Sequence, residues 1–398
     1  MNWTVGIVAF GMVLTAQPSN RLAAQDYRAQ AIRILRTVPL IDGHNDIPDA
    51  IHERGGLDSV DFAVSQPKLM TDVPRLRSGH VAGQFWAAYV PVTTMDSGTH
   101  PAVYALEQID LARRLCAKNS GAMAMARTAA DVQRNFAARK ISCLIGIEGG
   151  HAIENSLGAL RMFARLGVRY MTLTHWKTLD WAVASTDDTT RRGLTDFGKQ
   201  VVREMNRVGM LVDLSHVNDQ TMSDALHTSR APIIFSHSSA RALTNHARNV
   251  PDSILKLVTA NGGIVMVNFN PGFVSEAVRT FGDSTTAWSR ALRAAGADSA
   301  TRADSARHWE ARAPRATLQQ VADHIDHIRQ VAGVDHVGIG SDFDGITEVP
   351  VGLEDVSKFP DLIAELLRRG WTETDVKKVA GLNILRVMRE AERIARAN

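Results

Sequence analysis

The chain has 398 residues, 45% hydrophobic and 22% charged, which is ample material for a large core and excludes a disordered or collagen-like polymer. The formal net charge is only +3, and the Lys and Arg residues are dispersed rather than gathered in a stripe, so a dedicated nucleic-acid surface is excluded. Two cysteines, Cys116 and Cys143, are too few for a disulfide framework. Cys143 lies within the apolar run 141–147, where a buried free thiol is the expectation and pairing with Cys116 the alternative in an exported protein.

The chain opens with an apolar segment, residues 5–16, followed by Gln17-Pro18-Ser19-Asn20. It is too short to span a bilayer, which takes about 20 apolar residues, and it suits the apolar centre of a signal peptide, although no Lys or Arg precedes Val5. Residues 1–24 are therefore read as a signal, cleaved after Ala16 or Ala24, that sends the protein to the periplasm or outside the cell, with the cytoplasm as the alternative. Residues 25–398 are read as one catalytic domain. No cysteine follows the apolar segment and the C-terminal stretch 386–398 is charged, so no stable membrane anchor is expected.

Strand signals then alternate with helical ones. An apolar run, 38–41, ends in Asp42-Gly43-His44-Asn45-Asp46, and an aromatic and β-branched run follows at 84–92. Residues 102–118 have helical periodicity. Further strands are expected at 141–147 ending at Glu148, 168–174 ending at His175, 210–215 ending at His216 and 232–236 ending at His237. The last two are expected at 263–269 and at 336–341, the latter ending at Asp342. Amphipathic segments between them include 194–208 and 251–260. Eight such strands, nearly continuous in apolar character, predict a closed parallel (β/α)8 TIM barrel. The segment 280–315 interrupts the pattern and is expected to form helices on the mouth side, with charges spread around the helical wheel as in a surface insertion.

The ionisable residues carry the functional signal. His44 and Asp46 alternate on one face of the first strand. Glu148, His175, His216, His237 and Asp342 each terminate another strand, and in a (β/α)8 barrel those ends converge on the active-site mouth. Three imidazoles (His44, His216, His237) and two carboxylates (Asp46, Glu148) are too many for one tetrahedral zinc with an open position, and suit two metals bridged by a carboxylate and a water. Such a pair lowers the pKa of the shared water and polarises an electrophile, which is hydrolytic chemistry. Asp342 then fits a general base that passes a proton to a leaving amine, and His175 a donor to the developing oxyanion.

The motifs Asp42-Gly43-His44-Asn45-Asp46, Glu148-Gly149-Gly150-His151, Thr174-His175-Trp176, Asp213-Leu214-Ser215-His216, Ser236-His237-Ser238-Ser239-Ala240, Arg248-Asn249-Val250-Pro251-Asp252 and Gly340-Ser341-Asp342-Phe343-Asp344-Gly345 together resemble the membrane (renal) dipeptidase family, a branch of the metal-dependent amidohydrolases. The resemblance implies a barrel with two Zn2+ ions that hydrolyses dipeptides, some with a C-terminal D-residue. His44 and Asp46 would hold one zinc, His216 and His237 the other, and Glu148 would bridge them. It further implies that Arg248 pairs with the substrate carboxylate, which suits the bidentate guanidinium fork. A homodimer is left open as the assembly.

Three departures bear on substrate range rather than on the metal site. Phe273 stands where the better-known members have a tyrosine, Trp176-Lys177-Thr178 lacks their cysteine, and the 280–315 segment is longer. His52, His80, His100, His227, His246 and His308 have no partner spacing and are read as surface or packing residues. His324 and His327 are read as a solvated helix face, since they do not form a His-Glu-x-x-His pair, and His151 and Asp344 as structural groups beside the site. Two rival functions stand beside the dipeptidase: a related dizinc amidohydrolase acting on N-acyl amino acids, lactams or a peptide precursor, and a catalytically silent binding protein. The complete donor set argues against the second.

Overall fold

The structure, a computed structural model, describes residues 19–96, 98–187 and 190–397. The apolar run 5–16 read as a signal lies outside the described residues. Among the described residues nine parallel strands form the sheet: β1 (Leu40–Asn45), β2 (Val81–Tyr89), β3 (Met123–Met125), β4 (Ile141–Glu148), β5 (Val168–Thr172), β6 (Leu211–Asp213), β7 (Ile234–Phe235), β8 (Ile264–Val267) and β9 (Val337–Ile339). β1 lies between β2 and β9, the pairing runs from β9 in descending order to β4, and β4 pairs with β2 to close the ring. Eight strands therefore make the barrel. The ninth, β3, pairs with the first residues of β4 (Ile141 to Cys143), just before β5 takes over that edge. Three residues are too few to carry a periodic pattern.

Two apolar shells explain why the strands read as unbroken hydrophobic runs. Alternate residues such as Ile41, Phe85, Leu144, Ile264 and Met266 fill the barrel, while their neighbours pack outward against the helices. Among the interior groups is the fully buried Tyr170. Its ring has room because Gly146 faces it across the β4–β5 pair: a Cβ at Gly146 would stand 2.1 Å from the phenol ring.

The helix Pro101–Lys118 lies on the outside of β4 and brings Cys116 within 6.4 Å of Cys143, Cα to Cα, and the two are joined in a disulfide. The expectation of a free thiol is thus corrected. Cys143 is buried as expected, and Cys116 is buried with it, but the approach of the helix to the strand is tertiary information.

The segment expected at 280–315 begins earlier, as a helical hairpin of Glu276–Ala294 and Ser299–Glu310. In the second helix the charges are spread round the wheel as expected, but in the first they are not. Val278, Phe281, Trp288 and Leu292 recur at helical spacing and are half-buried, and Trp309 of the second helix packs its ring 5.3 Å from Phe281 and 5.8 Å from Trp288. The helix Leu318–Ala332 also departs from expectation. His324 is 1% exposed, its Nδ1 accepts the N–H of Ala240 and its Nε2 donates to the carbonyl of Val274. His327 pairs with Asp252 at 2.8 Å. The helix presents its apolar face to the barrel, and His324 falls on that face between Val321 and Ile328.

Candidate metal centre

All seven strand-terminal groups meet at the carboxyl end of the barrel. Glu148 is at the centre and presents one oxygen to each of two clusters. Its Oε1 lies 3.0 Å from His216 Nε2 and 3.4 Å from His237 Nε2, and its Oε2 lies 3.6 Å from His44 Nε2. Asp46 Oδ2 is 3.2 Å from His44 Nε2. Two three-residue sets, His44 with Asp46 and Glu148, and His216 with His237 and Glu148, thus each converge tightly enough to hold a cation. A third set, His44, His237 and Asp342, overlaps both.

Short strands followed by tight turns deliver these side chains. His216 and Asp342 stand three residues beyond β6 and β9 with φ of 73° and 67°, a left-handed conformation that costs a non-glycine residue energy and is retained where the surroundings enforce it. Asp344 is the same, at 65°. Next to it Gly345 passes so close to the site that a Cβ would stand 2.1 Å from Asp46 Oδ2. Two buried carboxylates fasten the strand ends. Asp42 accepts from the N–H and hydroxyl of Ser341 and from Gln84, tying β1 to the loop after β9 and to β2. Asp213 accepts from Thr172 and from the N–H and hydroxyl of Ser236, tying β6 to β5 and to the loop after β7.

The outer nitrogens of two imidazoles are also held. His44 Nδ1 is 2.8 Å from the Tyr170 hydroxyl, and His237 Nδ1 is 2.7 Å from the Ser236 hydroxyl. For each Nε2 to offer a lone pair, Nδ1 must carry the hydrogen and donate it to that hydroxyl oxygen. Tyr170 and Ser236 were missed in the sequence. Ser236 adjoins a ligand candidate, whereas Tyr170 lies mid-strand, and only the barrel's interior register turns it toward His44.

The electrostatics fit a cation pair. Burial holds His216 and His237 well below the ordinary histidine range and depresses His175 to about 4, so these rings are neutral with lone pairs to give. Burial works to raise Glu148, but His44, His175 and the bonds from His216 and His237 outweigh it and keep the carboxyl ionised. Burial raises Asp46 and Asp342, and the neighbouring carboxylates add to it against the pull of His44. The two Nε2 atoms of His216 and His237 approach to 3.0 Å, and His44 Nε2 has no hydrogen-bond partner although it is fully buried. Burial works to lower His44, but Tyr170, Asp46 and Glu148 outweigh it and hold its ring above the ordinary histidine range. Carboxylates gathered round two neutral imidazoles and one charged one are a donor set that divalent cations satisfy.

Around this centre is a cavity of about 340 Å³. Asp342 Oδ1 is 3.9 Å from His44 Nε2, and its Oδ2 accepts from Asn268 at 2.9 Å. The His175 ring lies between Tyr89 and His216, with centroids at 4.9 and 4.4 Å. Arg248 is 1% exposed, and burial lowers its pKa to about 10 against the pull of Asp342 and Glu148. Its guanidinium makes two long bonds, to the Ser238 hydroxyl and the His237 carbonyl, both 3.4 Å, while its Nε has no partner. Phe273 lies 5.4 Å from it and 4.5 Å from the His246 ring, so His246 packs at the site's edge. Asp49 and Glu53 also line this cavity.

Residues 28–398 match the profile of a family described as membrane dipeptidase, Peptidase family M19. Among solved structures, the probable dipeptidase PvdM from Pseudomonas aeruginosa superposes with a TM-score of 0.79 at 22% identity, covering 93% of this chain and all of its own. A dipeptidase AC, a metallo peptidase, gives 0.71 at 28% identity over 89% of this chain and 99% of its own. A metallo peptidase from Rhodobacter sphaeroides, solved with a phosphinate mimic of the dipeptide L-Ala-D-Ala, gives 0.70 at 26% identity with the same coverages.

Proposed function

Because the chain belongs to the membrane dipeptidase family, and is therefore a metallopeptidase acting on peptide bonds, we propose that it is a dizinc dipeptidase with the site described above as its catalytic centre. The carrying observation is the division of Glu148 between two clusters, one oxygen toward His44 and the other toward His216 and His237. His44 and Asp46 would hold one Zn2+, His216 and His237 the second, and Glu148 both. Bound there, the ions supply an activated water and polarise the scissile carbonyl.

The protein's own groups do the rest. Asp342, steadied by Asn268, accepts the proton released as water attacks and hands it to the departing amine. His175, neutral because burial depresses it to about 4, donates a hydrogen bond to the carbonyl oxygen as negative charge grows on it. Arg248 receives the substrate's terminal carboxylate, which would replace its long, weak contacts with a charge-assisted pair. Asp49 and Glu53, which line the same cavity, receive the substrate's ammonium group. Fixed charges at both ends would select for two residues. The phosphinate mimic of L-Ala-D-Ala bound by the Rhodobacter sphaeroides relative supports acceptance of a D-residue at the carboxyl end. The Cys116–Cys143 disulfide supports export to an oxidising compartment, and among the described residues no helix is long and apolar enough to cross a membrane.

Metal analysis followed by assays on L-L and L-D dipeptides, tripeptides and N-acyl amino acids tests this reading. Two zinc ions per chain and cleavage confined to dipeptides are expected. Cleavage of N-acyl amino acids with no dipeptide turnover overturns it in favour of the amidohydrolase alternative.

A further inference from the structure

The cavity over the metal centre adjoins another at Phe273. Asn270, Phe273, Ile346 and Thr347 line both it and a second cavity of about 360 Å³. Val278, Gly282, Thr286 and Glu348 in turn line both that second cavity and a groove of about 590 Å³ in the helical hairpin. Three adjoining cavities, each sharing lining residues with the next, thus make up a trough from the metal centre, past the Arg248–Phe273 pair, to the face where Trp309 packs against Phe281 and Trp288.

The apolar stripe of the hairpin is only half-buried. Its aromatic rings satisfy one another but leave the groove floor apolar, with Arg290, Arg293, Arg302 and Glu310 among its lining groups. An aromatic floor opening into a catalytic cavity is a place for the apolar part of a ligand whose polar end is held at the chemistry. The exit passes beside Arg248, so the residue whose carboxylate Arg248 holds is also the one whose side chain faces the trough.

We propose that the trough is an extended specificity subsite, and that the preferred substrates are dipeptides whose carboxyl-terminal residue carries a long apolar side chain. This rests on the dipeptidase reading, with Arg248 as the carboxylate anchor. Phe273 acts here as the threshold: a phenyl edge without a hydroxyl has no polar group to desolvate as an apolar chain slides across it. Trp288 and Trp309 form the far wall, against which the end of the chain packs.

The test compares kcat/KM of the zinc-loaded enzyme for Ala-Ala and for alanyl-(Nε-octanoyl)lysine, with the second residue in each configuration. The wild type is expected to favour the octanoyl substrate by roughly tenfold or more, since a buried methylene contributes a factor of a few. Trp288→Ala, which removes the wall, and Thr285→Trp, which fills the groove, should each bring that ratio toward one. The ratio is taken within one preparation, so partial misfolding cancels. If the wild type cleaves Ala-Ala with no preference for the long chain, the subsite is overturned and the dipeptidase reading stands. A preference that both variants leave intact overturns the hairpin as its source. Cleavage of neither dipeptide overturns both readings.

Discussion

The hydroxyl of Tyr170, fully buried inside the barrel, stands 2.8 Å from Nδ1 of His44. A mid-strand residue of β5 thereby fixes the ring of a residue at the end of β1, across the barrel's interior. Such an outer partner sets which nitrogen faces the cation, and its loss typically costs 10–100-fold in metal affinity or activity (~1.4–3 kcal/mol). Tyr170→Phe keeps the ring that fills the space opposite Gly146 and removes only the oxygen. It should lower zinc affinity at the His44 cluster by roughly tenfold or more, measured by competition with a chelator. Unchanged affinity for both ions would show that Tyr170 only packs.

Asp342 is expected to move protons without being needed to retain metal. Asp342→Asn keeps the shape and can still meet Asn268, so metal content should stay near that of the wild type while kcat falls by roughly 10²–10⁴. Zinc content and turnover measured on one sample separate the two roles. Near-normal turnover would remove Asp342 from the mechanism.

Arg248→Ala takes away the one buried guanidinium that lines the cavity. Charge-assisted hydrogen bonds contribute about 1.5–3 kcal/mol each, so KM for dipeptides should rise by roughly tenfold or more. Dipeptide amides, which lack the carboxylate, should be affected far less. An equal effect on both substrates would assign Arg248 to packing.

His324 carries a pH dependence of stability. Burial depresses its pKa from the ordinary 6.5 to about 4, so the folded protein holds it neutral while the unfolded chain takes up a proton below about 6.5. The sign follows: its contribution is whole above pH 6.5 and is lost as the pH falls through the window toward 4, at no more than about 1.4 kcal/mol per pH unit. His324→Gln should be less stable at pH 7, because the bonds to Ala240 and Val274 are disturbed, but its melting temperature should fall less steeply between pH 7 and 5. Parallel curves for the two proteins would refute the assignment.

The Cys116–Cys143 bond closes a sequence separation of 27 residues, for which chain-entropy reasoning gives roughly 3.5 kcal/mol of stabilisation. Cys116→Ser combined with Cys143→Ser should lower the unfolding free energy by about 2–4 kcal/mol and leave zinc content unchanged, since neither sulfur lies at the barrel mouth. Denaturant unfolding with and without a reductant reads the same difference in the wild type.

Much of the barrel and most of the candidate site at its mouth are legible in the chain. Strands buried on both faces write themselves as unbroken apolar runs, and a ligand placed where a strand ends needs only that strand's direction to reach the mouth. His44, Asp46, Glu148, His175, His216, His237 and Asp342 were found this way, each from its own few residues. What the tertiary structure decided depends on distance between segments. Tyr170 meets His44, and Cys116 meets Cys143, only because elements remote in sequence pack together. His324 looks like a solvated residue until the helix Leu318–Ala332 is laid on the barrel, where that face is covered. The hairpin's aromatic stripe was masked by its charges, because hydropathy averaged along a helix hides which face each residue takes. The candidate ligands therefore lie in local sequence at strand ends, because each needs only its own strand's direction, while the groups that support them come from packing between distant segments.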